Sequence, residues 1–154
     1  MPADFTPVPH YKQSQPGACL PACVRMIMAA LGDERSEIEW AKALESYEFG
    51  TPSSRVKLLE KLGYYVRYGE FSLAELQGYL SNQIFPIVFV SADMLDWAEF
   101  RGFHALVLVE ITEIDVALLD PALGNGPTRL SIDGFLMAWE EFDTLTAIIQ
   151  RKKS

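Results

Sequence analysis

Apolar residues recur with a helical period in the first part of the chain, up to Gly63. Apolar positions three and four residues apart form one face of an α-helix. Ser36 followed by Glu39 has the spacing of a capping box, and Gly63 is a typical residue for a helix end. These patterns predict three helices, at residues 19–31, 37–47 and from Ser53 or Ser54 to residue 62.

Beyond Gly63, short runs rich in aromatic and β-branched residues predominate, and this composition favours β-strands. We predict strands at residues 64–68, 84–90, 103–109, 116–121, 128–132 and 144–150. Two helices interrupt them: residues 73–80, capped by Ser72, and a helix that Asp133 caps and that ends near Glu141. Pro86 predicts an edge position or an irregular entry for its strand, because proline cannot donate to a ladder.

Helices come first and strands mostly afterwards, an order that is typical of an α+β fold. We therefore expect an N-terminal helical half packed on a C-terminal antiparallel sheet. Pro7 and Pro9 are expected to keep residues 5–10 extended. A chain of 154 residues without linkers or repeats predicts one domain over residues 1–154.

Composition narrows the classes of function. The chain is 49% hydrophobic and carries a formal net charge of −8, which argues against nucleic acid and against anionic membrane surfaces as partners. Its two cysteines are too few for a disulfide framework. No secretory signal and no apolar run of membrane-spanning length is apparent, so we expect a cytoplasmic protein without a membrane span.

One junction between a loop and a helix has the features of a nucleophile site. Pro16 and Gly17 mark the loop, and Pro21 suits the first helical turn, so Cys19 lies at the helix N-terminus. Helix N-termini stabilise anions, and the thiolate is the nucleophilic form of cysteine. The side-chain amide of Gln13, six residues earlier, is placed to donate to an oxyanion formed at this cysteine.

A nucleophilic cysteine needs a base, and the chain contains two histidines, His10 and His104. His104 opens one predicted strand and Asp120 ends the next, with a polar turn at residues 110–115 between them. The midpoint of the two residues is Thr112, inside that turn. An antiparallel hairpin closed there brings them together, as a carboxylate that orients an imidazole requires.

These residues resemble the papain-like cysteine peptidases that process bacteriocin leaders ending in a double glycine, and their stand-alone relatives. The shared features are a glutamine six residues before the cysteine, a helix that starts at the cysteine, a strand that begins with histidine and an Asp-Pro pair after the next strand. The resemblance covers residues 8–124. Family members often have Asp-Cys-Gly or Trp-Cys-Gly where this chain has Ala18-Cys19-Leu20. Loss of that glycine either narrows the cleft or alters what binds beside the thiol, and it leaves the substrate class open.

The resemblance implies a papain-like fold and a cysteine peptidase without metal or organic cofactor. It implies that Cys19 is the nucleophile, His104 the base, Asp120 the orienting acid and Gln13 the oxyanion donor. The substrate would be a peptide or protein, such as a Gly-Gly leader, although this chain has no recognisable transporter part. The oligomeric state stays open.

Two other functions are compatible with the same fold. One is a catalytically silent module that binds or docks peptides, and the presence of Cys19 counts against it. The other is a toxin-like or effector-like thiol hydrolase that acts on one specific protein.

Several residues have a structural alternative to the functional interpretation. Gln15 has the same chemistry as Gln13, and only the spacing favours Gln13. Cys23 is expected to be a small core residue, and Asp120 before Pro121 could simply begin a turn. A further group is either core packing or an apolar wall for substrate: Trp97, Phe100 and Phe103. A zinc site built from His10, Cys19, Cys23 and His104 lacks the usual ligand spacing.

Overall fold

The computed structural model describes residues 8–152, so the extended conformation predicted for residues 5–7 lies outside the described part. Its α-helices are α1 Cys19–Ala30, α2 Glu37–Ala43, α3 Leu73–Ser81 and α4 Ile132–Glu140. Its strands are β1 Tyr64–Glu70, β2 Ile87–Ser91, β3 Phe103–Ile111, β4 Asp115–Leu119, β5 Thr128–Ser131 and β6 Leu145–Arg151. Ser53–Leu62 and Ala92–Met94 are 3₁₀ helices. No helix within residues 8–152 is long and apolar enough to cross a membrane.

The six strands form one sheet in the order β1-β6-β2-β3-β4-β5, and every neighbouring pair is antiparallel. One buried apolar cluster joins the sheet to α1, α2 and the Ser53–Leu62 helix. A second cluster on the opposite face joins it to α3 and α4. The α+β prediction is confirmed, with the N-terminal helices on one face and the two later helices on the other.

Local side-chain caps explain where several helices begin. Ser36 and Ser72 each form the full capping box with the glutamate three residues later, in α2 and α3. The cap predicted at Asp133 is wrong, because Ser131 is extended and its hydroxyl accepts a hydrogen bond from the Gly134 N–H at 3.0 Å. Asp133 instead lies in the first turn of α4, where its carboxylate interacts favourably with the helix dipole.

Two helices differ from the sequence prediction. Helix α2 ends at Ala43 rather than at residue 47, and Glu45 has a left-handed backbone with φ of 52°. The third helix is a 3₁₀ helix that follows Pro52 without a side-chain cap, so neither serine capping prediction holds. The Arg55 N–H donates to the carbonyl of Pro52 at 3.0 Å, three residues back, which is the 3₁₀ pattern.

Strand β2 occupies the middle of the sheet, between β6 and β3. The edge position considered for it is therefore wrong, and the irregular entry is right. Pro86 stands immediately before the strand, which begins at Ile87, and its carbonyl accepts from the Leu108 N–H at 2.9 Å. Because proline lacks only the donor, it can serve the ladder as an acceptor at this point.

Candidate active site

Cys19 is the first residue of α1 and is partly exposed. The preceding loop closes with a hydrogen bond from the Ala18 N–H to the Gln15 carbonyl at 3.2 Å, and Gly17 takes a left-handed φ of 88° within it. Cys23 lies one turn further along α1 and is fully buried. Burial, together with the charges of Cys19 and Asp120, raises the pKa of the Cys23 thiol. The two thiols of this helix therefore have very different access to solvent.

The hairpin of β3 and β4 brings His104 and Asp120 together. Val107 lies opposite Leu119, and continuing this register by one residue places Asp120 opposite Leu106, two positions from His104. The register shifts between Leu108 and Glu110. The strand pairing beside His104 centres the hairpin one residue beyond Thr112, and the two side chains meet as diagonal neighbours. The His104 Nε2 lies 2.7 Å from the Asp120 Oδ1.

The imidazole of His104 is buried and has two functional partners. One ring nitrogen bonds the carboxylate of Asp120, and the Cys19 thiol is near enough to the ring to affect its pKa. Burial by itself lowers the pKa of His104. The hydrogen bonds and negative charges of Asp120 and Cys19 outweigh burial and raise the pKa of His104 to about 9. The ring therefore holds its second proton at neutral pH.

Every oxygen of the Asp120 carboxylate has a donor. The Oδ1 atom also accepts from the Ala122 N–H at 2.8 Å, and the Oδ2 atom accepts from the Trp97 Nε1–H at 2.8 Å. Burial raises the pKa of Asp120, but the hydrogen bond and charge of His104, aided by these donors, lower it overall. Trp97 was considered only as an apolar residue. The sequence feature that could have indicated this contact is the indole N–H of Trp97, which needs a hydrogen-bond partner when the ring is half-buried.

His10 fixes the segment that carries Asp120. Its Nε2–H donates to the carbonyl oxygen of Asp120 at 2.7 Å, and its Nδ1 accepts from the Gly126 N–H at 2.8 Å. Both ring nitrogens are therefore used by backbone groups more than 100 residues away. The sequence indicated only a loop residue here, because nothing local shows where these partners lie.

We expect the His10→Ala variant to lose about 2 kcal/mol of unfolding free energy, since two backbone groups lose partners in a half-buried place. Urea denaturation followed by circular dichroism measures this loss. Ser14→Ala is the matched control, because it removes an exposed hydrogen bond to Glu37 from the same segment. We expect that control to lose less than about 1 kcal/mol. Equal stability of His10→Ala and wild type would contradict the prediction.

Cys19 and His104 line one cleft of about 490 Å³. Gln13 and Gln15 line the same cleft, so position alone does not separate these two candidates. The Gln13 Nε2 donates to the Gln15 carbonyl at 2.9 Å, and its Oε1 is buried without a partner within residues 8–152. A primary amide has two N–H groups, so Gln13 keeps one donor for a ligand. The Gln13 backbone N–H also donates to the Pro121 carbonyl at 2.7 Å, which ties the loop to the Asp120 segment.

Phe100 and Phe103 form an aromatic wall in this cleft. The Phe100 ring meets the His104 ring edge-on at 4.5 Å, and Phe103 stacks on Phe89 at 5.3 Å. Both rings are about two-fifths exposed, at 38% and 40%. They are therefore fixed by packing and also face the cleft, so the two alternatives considered for them are compatible.

Leu20 does not narrow the cleft, so the first of the two alternatives considered for it is wrong. Its side chain is 2% exposed, belongs to the core under α1 and is not part of the cleft lining. Helical geometry turns successive residues by about 100°, so the residue after a cleft-facing cysteine points elsewhere. A leucine at this place in the family motif therefore affects packing beneath the helix.

The zinc alternative has no support in the arrangement of side chains. Within residues 8–152, no group of three or more His, Cys, Asp or Glu side chains is arranged to hold a metal ion. Both nitrogens of His10 are engaged by backbone groups, and Cys23 is enclosed in the core. The arrangement that does exist is an imidazole hydrogen-bonded to a carboxylate, with a thiol that lines the same cleft as the imidazole. This combination is suited to nucleophilic attack on a carbonyl.

Solved structures show what this fold is similar to. A protein described as a C39-like peptidase from Bacillus anthracis has a TM-score of 0.77 at 14% identity, over 96% of both chains. The peptidase domain of Streptococcus ComA, a bifunctional ABC transporter of a quorum-sensing pathway, has a TM-score of 0.74 at 18% identity, over 94% of this chain and 99% of that one. A double glycine motif protease from an AMS/PCAT transporter, solved in complex with the leader peptide, has a TM-score of 0.71 at 15% identity, over 94% of this chain and 92% of that one.

At these identities the likeness concerns the fold, and it confirms the predicted papain-like architecture. No functionally curated protein matches the chain. The sequence profile of the Peptidase_C39 like family matches residues 5–146. The resemblance noted in the sequence is thereby confirmed, and the chain belongs to the Peptidase_C39 like family.

Proposed function

We propose that this protein is a cysteine peptidase that hydrolyses a peptide bond with Cys19 as nucleophile, His104 as base and Asp120 as orienting acid. Gln13 is the proposed oxyanion donor. The observation that carries the proposal is the 2.7 Å hydrogen bond between Asp120 and His104, whose ring lines the same open cleft as the Cys19 thiol. Membership in a peptidase family supports the same reaction.

Acylation begins with the proton of the Cys19 thiol on the His104 ring, which gives a thiolate beside an imidazolium. The thiolate attacks the carbonyl carbon of the scissile bond, and the carbonyl oxygen becomes an oxyanion. The second N–H of the Gln13 amide and the backbone N–H of Cys19 are the proposed donors for this charge. The imidazolium then gives its proton to the leaving amine, the C–N bond breaks, and a thioester to Cys19 remains.

Deacylation uses the same groups in the reverse sense. His104 takes a proton from a water molecule, and the resulting hydroxide attacks the thioester carbonyl. The C–S bond breaks, the proton returns to the sulfur, and the carboxylic acid product leaves. Asp120 stays ionised throughout, because its two oxygens accept from His104, Trp97 and the Ala122 N–H and stabilise the charge. This carboxylate fixes the ring orientation of His104.

The substrate class that fits best is a peptide or an exposed segment of a protein. The cleft is open and about 490 Å³ in volume, enough for a few side chains. One similar structure was solved with a leader peptide, and a double-glycine leader is therefore one candidate to test. The free N–H of Gln13 and the fixed aromatic wall suit an extended backbone beside the thiol.

The test is the rate at which Cys19 is alkylated by iodoacetamide as a function of pH, measured by mass spectrometry. We expect Cys19 to react at about pH 6, where an ordinary thiol with a pKa near 8.5 is almost wholly protonated. Cys23 is the internal control, since its burial keeps it protonated and enclosed. The His104→Ala variant is expected to slow the reaction of Cys19 at pH 6 by at least about tenfold.

A peptide library then tests hydrolysis itself, with Cys19→Ala as the inactive control. Cleavage by wild type and none by Cys19→Ala supports the peptidase. If Cys19 is inert at pH 6 and reacts only when the protein unfolds, the peptidase proposal fails. A docking module would bind peptides equally well with and without the Cys19 sulfur and would cleave none.

A further inference from the structure

The cleft beside Cys19 has an unusual charge for this protein. The chain has 21 acidic and 13 basic residues, which gives a formal net charge of −8. The cleft lining nevertheless includes Lys12 and Arg101, and no Asp or Glu is among its described residues. Among the described residues, no acidic side chain therefore lines the place where a substrate would lie.

A second groove, of about 350 Å³, lies on the other side of the same loop. It shares Ser14, Gln15 and Gly17 with the cleft. Its lining has the opposite charge balance, with three glutamates and a single lysine: Glu37, Glu45, Glu48 and Lys42. The loop before Cys19 thus separates a cationic cleft from an acidic groove.

The two cations of the cleft are available to a ligand. Lys12 has no ion-pair partner among residues 8–152, and its aliphatic stem lies beside Gly124. Arg101 is 89% exposed and its Nη1 lies 3.9 Å from the Asp93 Oδ2, a loose surface pair. Asp93 is also held by the Gly102 N–H, which donates to its Oδ1 at 2.7 Å. A ligand carboxylate therefore competes with one weak intramolecular contact only.

We propose that Lys12 and Arg101 select substrates that carry a carboxylate next to an apolar residue, with the apolar side chain on the Phe100 and Phe103 rings. This inference rests on the proposed peptidase function and names the substrate class of the same site. Both cations are solvent-exposed, so their effect is on encounter and binding, is several-fold rather than absolute, and falls with salt. The carboxylate belongs either to an acidic side chain or to the C-terminus of a peptide.

A pair of thiol reagents tests the charge preference without a known substrate. Iodoacetate carries a carboxylate, and iodoacetamide is its neutral analogue of nearly the same size. The rate of Cys19 alkylation by iodoacetate divided by the rate with iodoacetamide reports the local electrostatic potential. The His104 imidazolium contributes equally to this ratio in wild type and in cleft variants. We expect the Lys12→Ala/Arg101→Ala double variant to lower this ratio by about three- to tenfold, and 0.5 M salt to lower it in wild type.

The matched control is Lys61→Ala/Lys152→Ala, which removes two exposed cations that do not line the cleft. We expect this variant to keep the wild-type ratio. If the cleft variant and the control variant both keep it, while iodoacetamide still reacts at low pH, this inference is overturned and the peptidase proposal stands. If Cys19 has no low-pH reactivity toward either reagent, the peptidase proposal is overturned first.

Peptide substrates found in the library separate the two sources of the carboxylate. One arm replaces an acidic residue by its amide, and the other blocks the C-terminus as an amide. A several-fold rise in KM in either arm, absent in the Lys12→Ala/Arg101→Ala variant, supports the inference and identifies the source. Unchanged KM in both arms overturns it.

Discussion

Replacement of Asp120 by alanine is expected to remove most of the low-pH reactivity of Cys19 and to destabilise the fold by about 3 kcal/mol. The carboxylate is fully buried and accepts from His104, Trp97 and the Ala122 N–H. Without it, one buried donor and two half-buried donors lose their partner, and each such loss costs on the order of 1 kcal/mol or more. Urea denaturation measures the change in unfolding free energy.

The loss of reactivity has an electrostatic cause. Burial alone lowers the pKa of His104, and only the partners Asp120 and Cys19 raise it to about 9. Once Asp120 is gone, the ring gives up its proton at lower pH and no longer stabilises a thiolate beside it. Each unit by which that pKa falls is a tenfold change, so we expect alkylation of Cys19 at pH 6 to slow by about 10- to 100-fold.

Two further variants separate charge from packing. Asp120→Asn keeps an oxygen for Trp97 and most of the volume, so we expect it to be more stable than Asp120→Ala but equally unreactive at pH 6. Asp115→Asn is the matched control on β4, since its carboxylate pairs with Arg129 at 3.0 Å and is not part of the cleft lining. Full reactivity of Asp120→Asn at pH 6 would contradict the assigned role of the charge.

The ion pair also gives the stability difference between wild type and Asp120→Ala a definite pH dependence. The His104 contribution is complete below its ordinary pKa of 6.5 and is lost as the pH rises through about 9. The Asp120 contribution is present above its ordinary pKa of 3.8 and is lost as the pH falls through its lowered folded pKa. The difference in unfolding free energy should therefore be largest between pH 3.8 and 6.5 and should shrink towards pH 9. A difference that stays constant over this range would exclude a charged pair.

Gly17→Ala is expected to cost about 3 kcal/mol, an unusually large effect for the addition of one methyl group to a loop. Gly17 has a left-handed φ of 88°, and a Cβ there would lie 2.6 Å from the Phe49 carbonyl oxygen. That oxygen belongs to backbone held by the hydrogen bonds between Tyr47 and Gly50 at 2.9 and 3.3 Å. The clash therefore has to be relieved by moving one of two backbones.

This substitution should also disturb the site, because the same loop precedes Cys19 and carries the Gln15 carbonyl that holds the Gln13 amide. Thermal or urea unfolding measures the stability, and the rate of iodoacetamide alkylation at pH 6 measures the reactivity of the Cys19 thiol. Gly63→Ala is the matched control, since its φ is 91° and nothing lies within 4 Å of the added Cβ. It should show only the conformational cost of about 1 kcal/mol. Equal effects of the two variants would show that the contact with Phe49 does not matter.

The local features of the sequence predicted the parts of the fold that depend on near neighbours. The capping boxes at Ser36 and Ser72 each join residues that are three apart in the chain. The start of α1 at Cys19 follows from the loop residues before it and from Pro21 in its first turn. The hairpin of β3 and β4 depends on two apolar runs around one turn, so the proximity of His104 and Asp120 also follows from local order. At α4 the sequence predicted Asp133 as the cap, and the extended backbone of Ser131 makes that serine the cap instead.

Four things about the site were decided only by the tertiary structure, because their partners are distant in the chain. The Trp97 indole reaches Asp120 across 23 residues, and the His10 ring reaches the Asp120 segment across 110. The close approach of Gly17 to Phe49 and the separation of the Lys12 and Arg101 cleft from the glutamate groove arise from packing of separate segments. Sequence spacing carries the period of helices and strands, whereas such contacts depend on how these elements pack in three dimensions. The sequence by itself therefore determined the chain order of the candidate site residues, whereas their hydrogen-bond partners, the charge of the cleft and its exposure to solvent depend on the fold.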